Sequence, residues 1–304
     1  MQREKVAYVF RLVLGLVFVV SAFLKMKTID SFSLYIYGFG WLPMGVSFVL
    51  SRLLVGFEFF LGVALSLNRW NRLIDAVVLF VLSSFSVFLI YLVAVGDEGN
   101  CHCFGEVVDF SPTESLIKNA LLLVFLFFSS RSVPFGWRYA NLLIPALLLF
   151  SLAAPFVVDR PENMMEDKRV SYDGERLSVF LEKGEVPAGL RRGKKILCFY
   201  STSCSHCRIA ARKMDIIMDK YGIPDSLSFW GIYDPKGKME EFISESGIRR
   251  QKSVFLDSEI FAITEGRLPL ILLMEDGGVV EMMSNQTLSE EKVSSFVRDK
   301  SLSR

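Results

Sequence analysis

Residues 196–207 read Ile-Leu-Cys-Phe-Tyr-Ser-Thr-Ser-Cys-Ser-His-Cys, so a C-x-x-C motif closely follows an apolar run. The run Lys195–Tyr200 is apolar enough to predict a buried strand. From Cys204 to Tyr221, apolar residues recur at near-helical spacing, which predicts a helix. The motif would therefore lie where a buried strand leads into a helix, a position typical of redox-active cysteine pairs.

This position predicts different roles for the two cysteines. Cys204 would lie at the positive end of the helix dipole, which stabilises the thiolate that attacks disulfides. Cys207, one turn inside the helix, would resolve the mixed disulfide. His206 would add positive charge or a hydrogen bond to the thiolate, and a stabilised reduced form makes the disulfide a stronger oxidant. Cys198, on the strand, is predicted to be an inert core cysteine.

A zinc site is the alternative interpretation of a C-x-x-C motif. A closed structural zinc site needs about four ligands. The second half of the sequence contains no second C-x-x-C motif and no pair of histidines, so the redox interpretation is favoured.

Two segments resemble thioredoxin-like proteins. Ile196–Cys207 is similar to their strand and C-x-x-C segment, and Arg267-Leu268-Pro269 ahead of a hairpin resembles their cis-proline loop. The spacing is similar to that of the TlpA-like and MauD-like branch, and the resemblance covers about residues 174–302. It implies that Cys204 is the nucleophile, that Cys207 is the resolving thiol, and that Pro269 follows a cis bond beside them.

The rest of this half alternates between strand and helix patterns. Predicted strands are Arg176–Leu181, Lys195–Tyr200 and Leu227–Tyr233, predicted helices are Cys204–Tyr221 and Lys238–Ser246, and a hairpin joins Leu270–Met274 to Val279–Met283. The hairpin turns at Asp276-Gly277, a strong turn signal. Thr287 and Glu290 have the spacing of a capping box, which predicts a last helix.

The two halves of the chain differ in charge. Residues 1–155 hold 11 Lys/Arg and 9 Asp/Glu, whereas residues 156–304 hold 23 and 24. The first half therefore has too few charges for a water-soluble surface, and its apolar stretches approach the roughly 20 residues that a spanning helix needs. These stretches are Val6–Leu24, Met44–Leu67, Leu73–Val95, Ser115–Phe128 and Tyr139–Phe156, of which the fourth is the shortest.

These patterns predict a multi-domain protein. An all-α bundle of four to five transmembrane helices would occupy residues 1–156, a polar tether residues 157–173, and an α/β thioredoxin-like domain residues 174–304. About fifteen flexible residues have a root-mean-square span of roughly 20 Å, which would let the domain move over one face of the bundle.

The orientation follows from the positive charges that flank the spans. One set of connections holds Arg3, Lys5, Arg69, Arg72, Arg131 and Arg138. The other set holds Lys25 and Lys27, and its second loop, Gly96–Pro112, has no Lys or Arg. We therefore predict a bacterial cytoplasmic (inner) membrane protein with a cytoplasmic N-terminus and an extracytoplasmic thioredoxin-like domain.

A second cysteine motif, Asn100-Cys101-His102-Cys103-Phe104-Gly105, lies in this acidic outer loop. Cysteines two apart in an extended strand have Cα atoms about 6.6 Å apart, near the upper limit for a disulfide. A bridge would need the segment to turn and would be strained, and strained exposed disulfides are the labile, oxidising ones; we expect only one of the two sulfurs to be exposed to attack. As an alternative, Cys101, His102 and Cys103 are a donor set that binds copper or zinc.

The first half also resembles a known family. Arg11–Lys25, Glu58 in the second span and the Cys-x-Cys-Phe-Gly block are similar to the DoxX/MauE membrane family, over about residues 1–130. MauE-like proteins are associated with maturing disulfide-rich periplasmic proteins beside a thioredoxin-like partner. The resemblance implies that both parts are fused in this chain.

Charged residues inside the second span are costly and usually have a function or a buried partner. Glu58 lies at a depth that Arg11 of the first span would match, which predicts an ion pair between helices. Arg52 lies nearer the outer face and is a candidate for binding a lipid headgroup or a quinone carbonyl. The aromatic segment Ser31–Trp41 is expected to be an outer loop at the membrane interface.

The functional hypothesis is an electron relay. Protein thiols outside the membrane would reduce Cys204/Cys207, this pair would reduce Cys101/Cys103, and the bundle would pass the electrons to a quinone. A copper-handling or assembly factor is the alternative. A net charge of +1 offers no basic surplus for nucleic acid, so the predicted partners are the lipid bilayer and periplasmic thiols or disulfides.

Overall fold

The chain divides into two compact units, Met1–Pro161 and Glu162–Arg304. The computed structural model describes residues 2–96, 99–106, 108–130, 132–133, 140–160, 171–182, 188–246, 253–256 and 258–298. Most of the predicted tether, at residues 157–173, lies outside the described residues.

The first unit is a helical bundle. Its elements are α1 (Gln2–Lys27), α2 (Ile29–Gly38), α3 (Met44–Ser66), α4 (Asn71–Ala94), β1 (Cys103–Glu106), α5 (Pro112–Ser129) and α6 (Ala140–Val158). In the described part of the chain, α1, α3, α4 and α5 are long and apolar enough to cross a membrane. The apolar part of α6, Leu142–Val158, is shorter than each of these four helices. The all-α transmembrane bundle is confirmed, with four candidate spans.

One prediction about the length of these helices holds and one about the aromatic segment needs correction. The fourth span, α5, is the shortest of the four candidate spans at 18 residues, although a capping box between Ser111 and Glu114 starts it before the predicted Ser115. The aromatic segment Ser31–Trp41 is not a loop, since most of it belongs to α2. Ile29, Phe32 and Tyr37 are buried at helical spacing, and this apolar stripe forms the helix.

Two glycines allow helices of the bundle to pack closely against the backbone of a neighbouring helix. A Cβ atom added to Gly15 of α1 would lie 2.6 Å from the Gly62 carbonyl oxygen of α3, so the two helices pack without side chains between them. Gly56 of α3 meets the Ser151 carbonyl of α6 in the same way. Asp159, eight residues after Ser151, accepts hydrogen bonds from Arg52, one turn before Gly56. Helix α6 therefore runs antiparallel to α3.

The second unit is a five-stranded sheet with helices. Its elements are α7 (Gly174–Glu182), β2 (Lys194–Ser201), α8 (Ser205–Tyr221), β3 (Ser228–Tyr233), α9 (Met239–Ser246), β4 (Ser253–Phe255), α10 (Glu259–Ile263), β5 (Leu270–Glu275), β6 (Gly278–Met283) and α11 (Glu290–Arg298). The strand order is β4-β3-β2-β5-β6. Strands β2, β3 and β4 are parallel, and β5 is antiparallel to both β2 and β6. This is the predicted thioredoxin-like fold.

The strand predicted at Arg176–Leu181 is wrong, because these residues lie in α7. Leu177, Phe180 and Leu181 are buried at positions i, i+3 and i+4, which is a helical face. The Asp173 carboxylate accepts the backbone N–H groups of Glu175 and Arg176 and so caps the helix. A short apolar segment is compatible with both the strand period and the helix period, and the Asp173 cap favours the helix.

The last helix is confirmed, but its predicted cap is not. Helix α11 begins at Glu290 rather than directly after Thr287. The Thr287 hydroxyl accepts the backbone N–H of Ser284, and the Glu290 carboxylate accepts hydrogen bonds from Lys220 and Tyr221. A local contact of Thr287 and tertiary contacts of Glu290 therefore use the groups that the capping box would need. The hairpin turn at Asp276-Gly277 is confirmed, with positive φ at both residues.

Candidate functional site

The C-x-x-C motif lies at the end of the central strand. Strand β2 pairs with β3 on one side and β5 on the other, and its residues Ile196–Ser201 are buried. The chain then turns, and Cys204 is the N-cap residue of α8, in an extended conformation. The Cys204 carbonyl accepts the backbone N–H groups of Cys207 at 3.1 Å and Arg208 at 3.3 Å. The sequence therefore places both cysteines in the first turn of a helix that starts at the edge of the sheet.

The two thiols differ in acidity. A hydrogen bond from the Cys207 thiol, backbone N–H groups and the nearby His206 lower the pKa of Cys204 to about 6, against the opposing effect of burial. Burial, and then the hydrogen bond and charge of Cys204, raise the pKa of the buried Cys207 far above its ordinary value. Cys204 is partly exposed. Cys204 is therefore suited to act as the attacking thiolate, and Cys207 to act after it.

The loop with Pro269 lies beside this motif in the sheet. The Leu268–Pro269 bond is cis, as the resemblance to thioredoxin-like proteins implied. In the β2–β5 pairing Leu270 lies opposite Phe199, so Pro269 lies one residue further towards the end of β2 that leads into Cys204. The backbone register thus brings the cis bond to the same edge of the sheet as the motif.

The remaining cysteine of this unit is buried on β2. Burial raises the pKa of Cys198 to about 12, so this thiol stays protonated at neutral pH. A protonated thiol is a poor nucleophile. This agrees with the prediction of a core cysteine.

The C-x-C motif forms a disulfide in the first unit. Cys101 and Cys103 are bonded, with Cα atoms 5.4 Å apart. His102 between them has φ +55°, so the segment makes the turn that a bridge requires. We call Cys101 and Cys103 the loop pair.

The expectation that one sulfur of the loop pair is exposed is wrong. Both cysteines are 2% exposed, and they pack with Leu89 and Leu92 of α4. Partly buried side chains complete this cluster: Phe39, Phe85, Phe88, Phe104, Phe110 and Leu116. Of the aromatic segment Ser31–Trp41, which predicted an interfacial belt, Phe39 belongs to this cluster, whereas Trp41 is exposed.

Helices α1 and α5 hold the loop pair through polar contacts. The Ser21 hydroxyl of α1 donates to the Cys103 carbonyl oxygen at 2.8 Å. The buried Ser115 hydroxyl of α5 lies 2.9 Å from Cys101 Sγ and 3.2 Å from Cys103 Sγ. Gly105, with φ +69°, packs so closely on Thr28 that a side chain would clash. Sequence reasoning did not single out Ser21 or Ser115; a serine inside an apolar span is the only signal of them.

His102 is held by contacts on both sides of its ring. Its Nδ1 atom lies 2.8 Å from the Asn100 carbonyl oxygen, and its ring stacks on Tyr35 with centroids 4.3 Å apart. Its buried Nε2 atom has no hydrogen-bond partner among the described residues and lies 3.6 Å from Glu106 Oε1.

The loop pair in this state does not fit the metal alternative. The sulfur atoms of Cys101 and Cys103 are bonded to each other, so they do not offer thiolate ligands beside His102. Across the described ranges, no group of three or more His, Cys, Asp or Glu side chains is arranged to hold a metal ion.

The buried charges of the bundle form pairs other than the predicted one. Glu58 accepts from Lys25 at 2.7 Å, while Arg11 pairs with Asp75 of α4. Both cations lie on α1. The predicted ion pair of Glu58 therefore named the right helix but the wrong residue. The second-span arginine, Arg52, is fully buried and bonds to protein groups: Asp30 of α2, Ser33, the Phe48 carbonyl and Asp159.

The two units together define a class of protein: a helical bundle able to span a membrane, joined to a thioredoxin-like domain with a dithiol. Residues 3–131 match the family model described as methylamine utilisation protein MauE, which confirms the MauE resemblance. The chain is 26% identical over 266 residues to Protein TlpB of Flavobacterium psychrophilum, covering 70% of this chain and 72% of that relative.

One solved structure is also similar to this chain. It is a secreted Mycobacterium tuberculosis disulfide oxidoreductase homologous to E. coli DsbE, with 18% identity and a TM-score of 0.27, covering 36% of this chain and 84% of that chain. The apolar helices, the MauE match and the dithiol at the head of α8 make this chain a membrane protein of the thiol–disulfide oxidoreductase type.

Proposed function

We propose that the chain relays electrons from periplasmic thiols through Cys204/Cys207 to the loop pair, and from there to a quinone in the membrane. The Cys204 thiolate attacks one loop sulfur, and the loop disulfide breaks. Cys207 then attacks Cys204, which releases the loop pair as a dithiol and leaves a disulfide between Cys204 and Cys207. Two electrons and two protons pass from the loop dithiol to the quinone, which becomes a quinol.

One observation carries this proposal: the chain leaves the bundle at the end that holds the loop pair. Arg52 binds Asp159, just after α6, and Asp30 of α2. The same α2 contributes Tyr35, whose ring stacks on His102 of the loop pair. A tether that starts after Asp159 would therefore start on the side of the membrane where the loop pair lies. Its reach of roughly 20 Å suits exchange between the two cysteine pairs.

The proposed orientation rests on the distribution of charge. The opposite end of the bundle is where Asn68 and Asn71, at the α3–α4 turn, bond to Ser132 after α5. Arg69 and Arg72 flank this turn, and cytoplasmic connections carry such an excess. We therefore infer that this end is cytoplasmic and that the loop pair and the thioredoxin-like domain are extracytoplasmic, at a bacterial inner membrane.

A quinone ring would find a suitable environment beside the loop pair. The aromatic cluster around Cys101 and Cys103 offers faces on which a planar ring stacks. His102 Nδ1–H donates to the Asn100 carbonyl, so Nε2 of the neutral ring is an acceptor and is able to accept a hydrogen bond from the hydroxyl of the quinol product. Within the described part of the chain this buried Nε2 has no hydrogen-bond partner. Arg52, the candidate from the sequence, would bind a quinone only after releasing Asp30 or Asp159. The geometry therefore favours His102 over Arg52 as the contact to the carrier.

The burial of the loop pair sets a condition on the relay. Because both sulfurs are covered, the aromatic cluster must open before Cys204 reaches either one. We infer that docking of the thioredoxin-like domain accompanies this opening, which would protect the loop pair from unrelated thiols.

The direct test uses the full-length chain with Cys207→Ser in native membranes. Without the resolving thiol, Cys204 should remain linked to a loop cysteine, and mass spectrometry of non-reduced digests should detect the linked peptides. The control carries Cys204→Ser as well and should show no link. If Cys204 links to other proteins but never to the loop, the two pairs act separately.

The quinone step has its own readout. In membranes depleted of quinone, the loop pair should accumulate as a dithiol when Cys204/Cys207 is supplied with reductant. Adding back a soluble quinone should restore the disulfide. A loop pair that stays oxidised without quinone would mean that another acceptor takes the electrons.

A further inference from the structure

We infer that the two loop sulfurs have fixed roles, with Cys103 as the sulfur that is attacked and Cys101 as the leaving sulfur. Ser115 is the positioning residue that makes this difference. The inference deepens the proposed function and rests on the loop pair accepting a thiolate, whichever thiol supplies it.

Exposure does not distinguish the two sulfurs. Cys101 and Cys103 are each 2% exposed, and both belong to the same cluster of buried side chains. The two sulfurs are therefore similarly buried, and exposure alone does not decide which of them an incoming thiolate attacks. The choice between them depends on which sulfur better carries the negative charge when the disulfide breaks.

Hydrogen bonds favour Cys101 as the sulfur that carries this charge. Bonded sulfurs have no hydrogen, so the Ser115 hydroxyl is the donor in both of its sulfur contacts. It has a single hydrogen, and Cys101 Sγ at 2.9 Å is nearer than Cys103 Sγ at 3.2 Å. The backbone N–H of Cys103 also donates to Cys101 Sγ, at 3.4 Å. Among the described residues, the Ser115 hydroxyl is the one hydrogen-bond donor to Cys103 Sγ, and Cys103 Sγ shares this donor with Cys101 Sγ.

The exchange step balances without another reactant. The electron pair of the incoming thiolate forms a bond to Cys103 Sγ, and the pair of the Cys101–Cys103 bond stays on Cys101. The new Cys101 thiolate accepts hydrogen bonds from Ser115 and from the Cys103 N–H group. A leaving thiol with a lower pKa leaves faster, so this route is faster than attack on Cys101.

The first turn of α5 holds Ser115 in its position beside the two sulfurs. The capping box of Ser111 and Glu114 begins the helix, and the Ser115 N–H donates to the Ser111 carbonyl. Ser115 is fully buried, so water does not compete for its hydroxyl. A hydrogen bond to a charged group in such surroundings changes an equilibrium by about tenfold or more.

The test uses glutathione as the attacking thiol and the full-length chain with Cys204→Ser and Cys207→Ser. After brief exposure, acid quenching and alkylation, mass spectrometry locates the glutathione. We expect glutathione on Cys103 and the alkyl group on Cys101, with at least about tenfold preference. Equal adducts, or a preference for Cys101, would overturn the assignment.

Variants of Ser115 separate a chemical from a structural role. Ser115→Ala should slow glutathione attack about tenfold and reduce the preference for Cys103, whereas Ser115→Thr keeps a hydroxyl and should retain both. After full reduction, alkylation of Cys101 in Ser115→Ala should need a pH about one unit higher. An unchanged preference and pH profile in a folded Ser115→Ala protein would refute this role.

The same analysis of Cys207→Ser protein separates this inference from the relay. A peptide linking Cys204 to Cys103 supports both. Glutathione on Cys103 without any link to Cys204 upholds the sulfur assignment and overturns the relay. A link from Cys204 mainly to Cys101 upholds the relay and overturns the assignment.

Discussion

The two cysteine pairs differ by one intervening residue, and this difference separates an attacking site from a receiving one. In the C-x-x-C motif, one helical turn brings Cys207 behind Cys204, and Cys204 remains partly exposed as a thiol of low pKa. In the loop pair, the turn at His102 joins both sulfurs, and the aromatic cluster covers them. The first pair is built to start an exchange, and the second is built to receive electrons only when the loop opens.

The two pairs are also positioned by different means. The end of β2 and the start of α8, which are adjacent to Cys204 in sequence, set its local conformation, and β2 itself is held by pairing with β3 and β5. The loop pair depends on Ser21, Ser115 and Thr28, which come from α1, α5 and the residue between α1 and α2. Mutations far away in sequence should therefore disturb the loop pair more than the C-x-x-C motif.

The largest expected effect is the loss of Cys204. Cys204→Ser should abolish reduction of a small disulfide by the full-length protein, because the low-pKa thiolate is the attacking group. Cys207→Ser should still form a mixed disulfide with the same substrate but should not turn over. Non-reducing gels and turnover assays measure the two outcomes. Equal adduct formation by both variants would show that the roles of the two cysteines are assigned wrongly.

The next effect is the pH dependence of Cys204. Its thiolate predominates above the pKa of about 6, so the alkylation rate should be nearly constant above pH 7 and fall as the pH drops through 6. Each further pH unit below the pKa lowers the thiolate fraction about tenfold. Rates of iodoacetamide labelling, followed by peptide mass spectrometry, measure the profile. Cys198 serves as the control and should stay unlabelled throughout, and a midpoint near 9 for Cys204 would contradict the assigned electrostatics.

The sequence predicted the parts of the fold that depend on local patterns. The C-x-x-C motif, the strands β2 and β3 and the hairpin follow from periodicity and turn residues. The prediction failed at Arg176–Leu181, where a short apolar segment fits both periods and the Asp173 cap favours a helix. It also failed for the partner of Glu58: Arg11 and Lys25 lie almost four turns apart on nearly the same face of α1, so the choice depends on how α1 is shifted along its axis against α3.

The candidate site divides in the same way. The positions of Cys204 and Cys207 could be predicted, since their environment is a strand end and a helix start, and their roles stay a prediction. The burial of the loop pair was not predicted, because it depends on α2 and α4 covering a loop that is distant in sequence. Ser115 gave no motif at all, and its contact with both sulfurs exists only in the packed bundle.

A third prediction tests the dependence of the loop pair on the bundle. Gly105 and Gly96 both have positive φ, but only at Gly105 would a Cβ atom clash, with Thr28 and with the Leu24 carbonyl oxygen at 3.1 Å. Gly105→Ala should loosen the loop and speed reduction of Cys101–Cys103 by glutathione, by about tenfold for each 1.4 kcal/mol of packing lost. Gly96→Ala carries the same backbone cost without the clash and should change this rate little. Equal rates for the two variants would mean that contact with α1 does not hold the loop.

The smallest expected effect is that of His206. It separates the contribution of a nearby charge to the low pKa of Cys204 from the contribution of the groups at the helix start. The hydrogen bond from Cys207 is the largest cause of the low pKa, and the charge of His206 contributes less. His206 is exposed, so solvent screens it further. Removing its charge should destabilise the thiolate, and hence the reduced form, so the Cys204/Cys207 disulfide should become a weaker oxidant.

The measurement compares His206→Gln with Ser205→Ala, a change at the neighbouring exposed position, in full-length protein that carries Cys101→Ser and Cys103→Ser. Equilibration with glutathione should give a potential lower by no more than about 30 mV for His206→Gln, which is a tenfold change in the exchange constant. A potential that rises, or a shift of the same size in Ser205→Ala, would remove His206 from the redox chemistry and leave the helix start and Cys207 as the groups that set the acidity of Cys204.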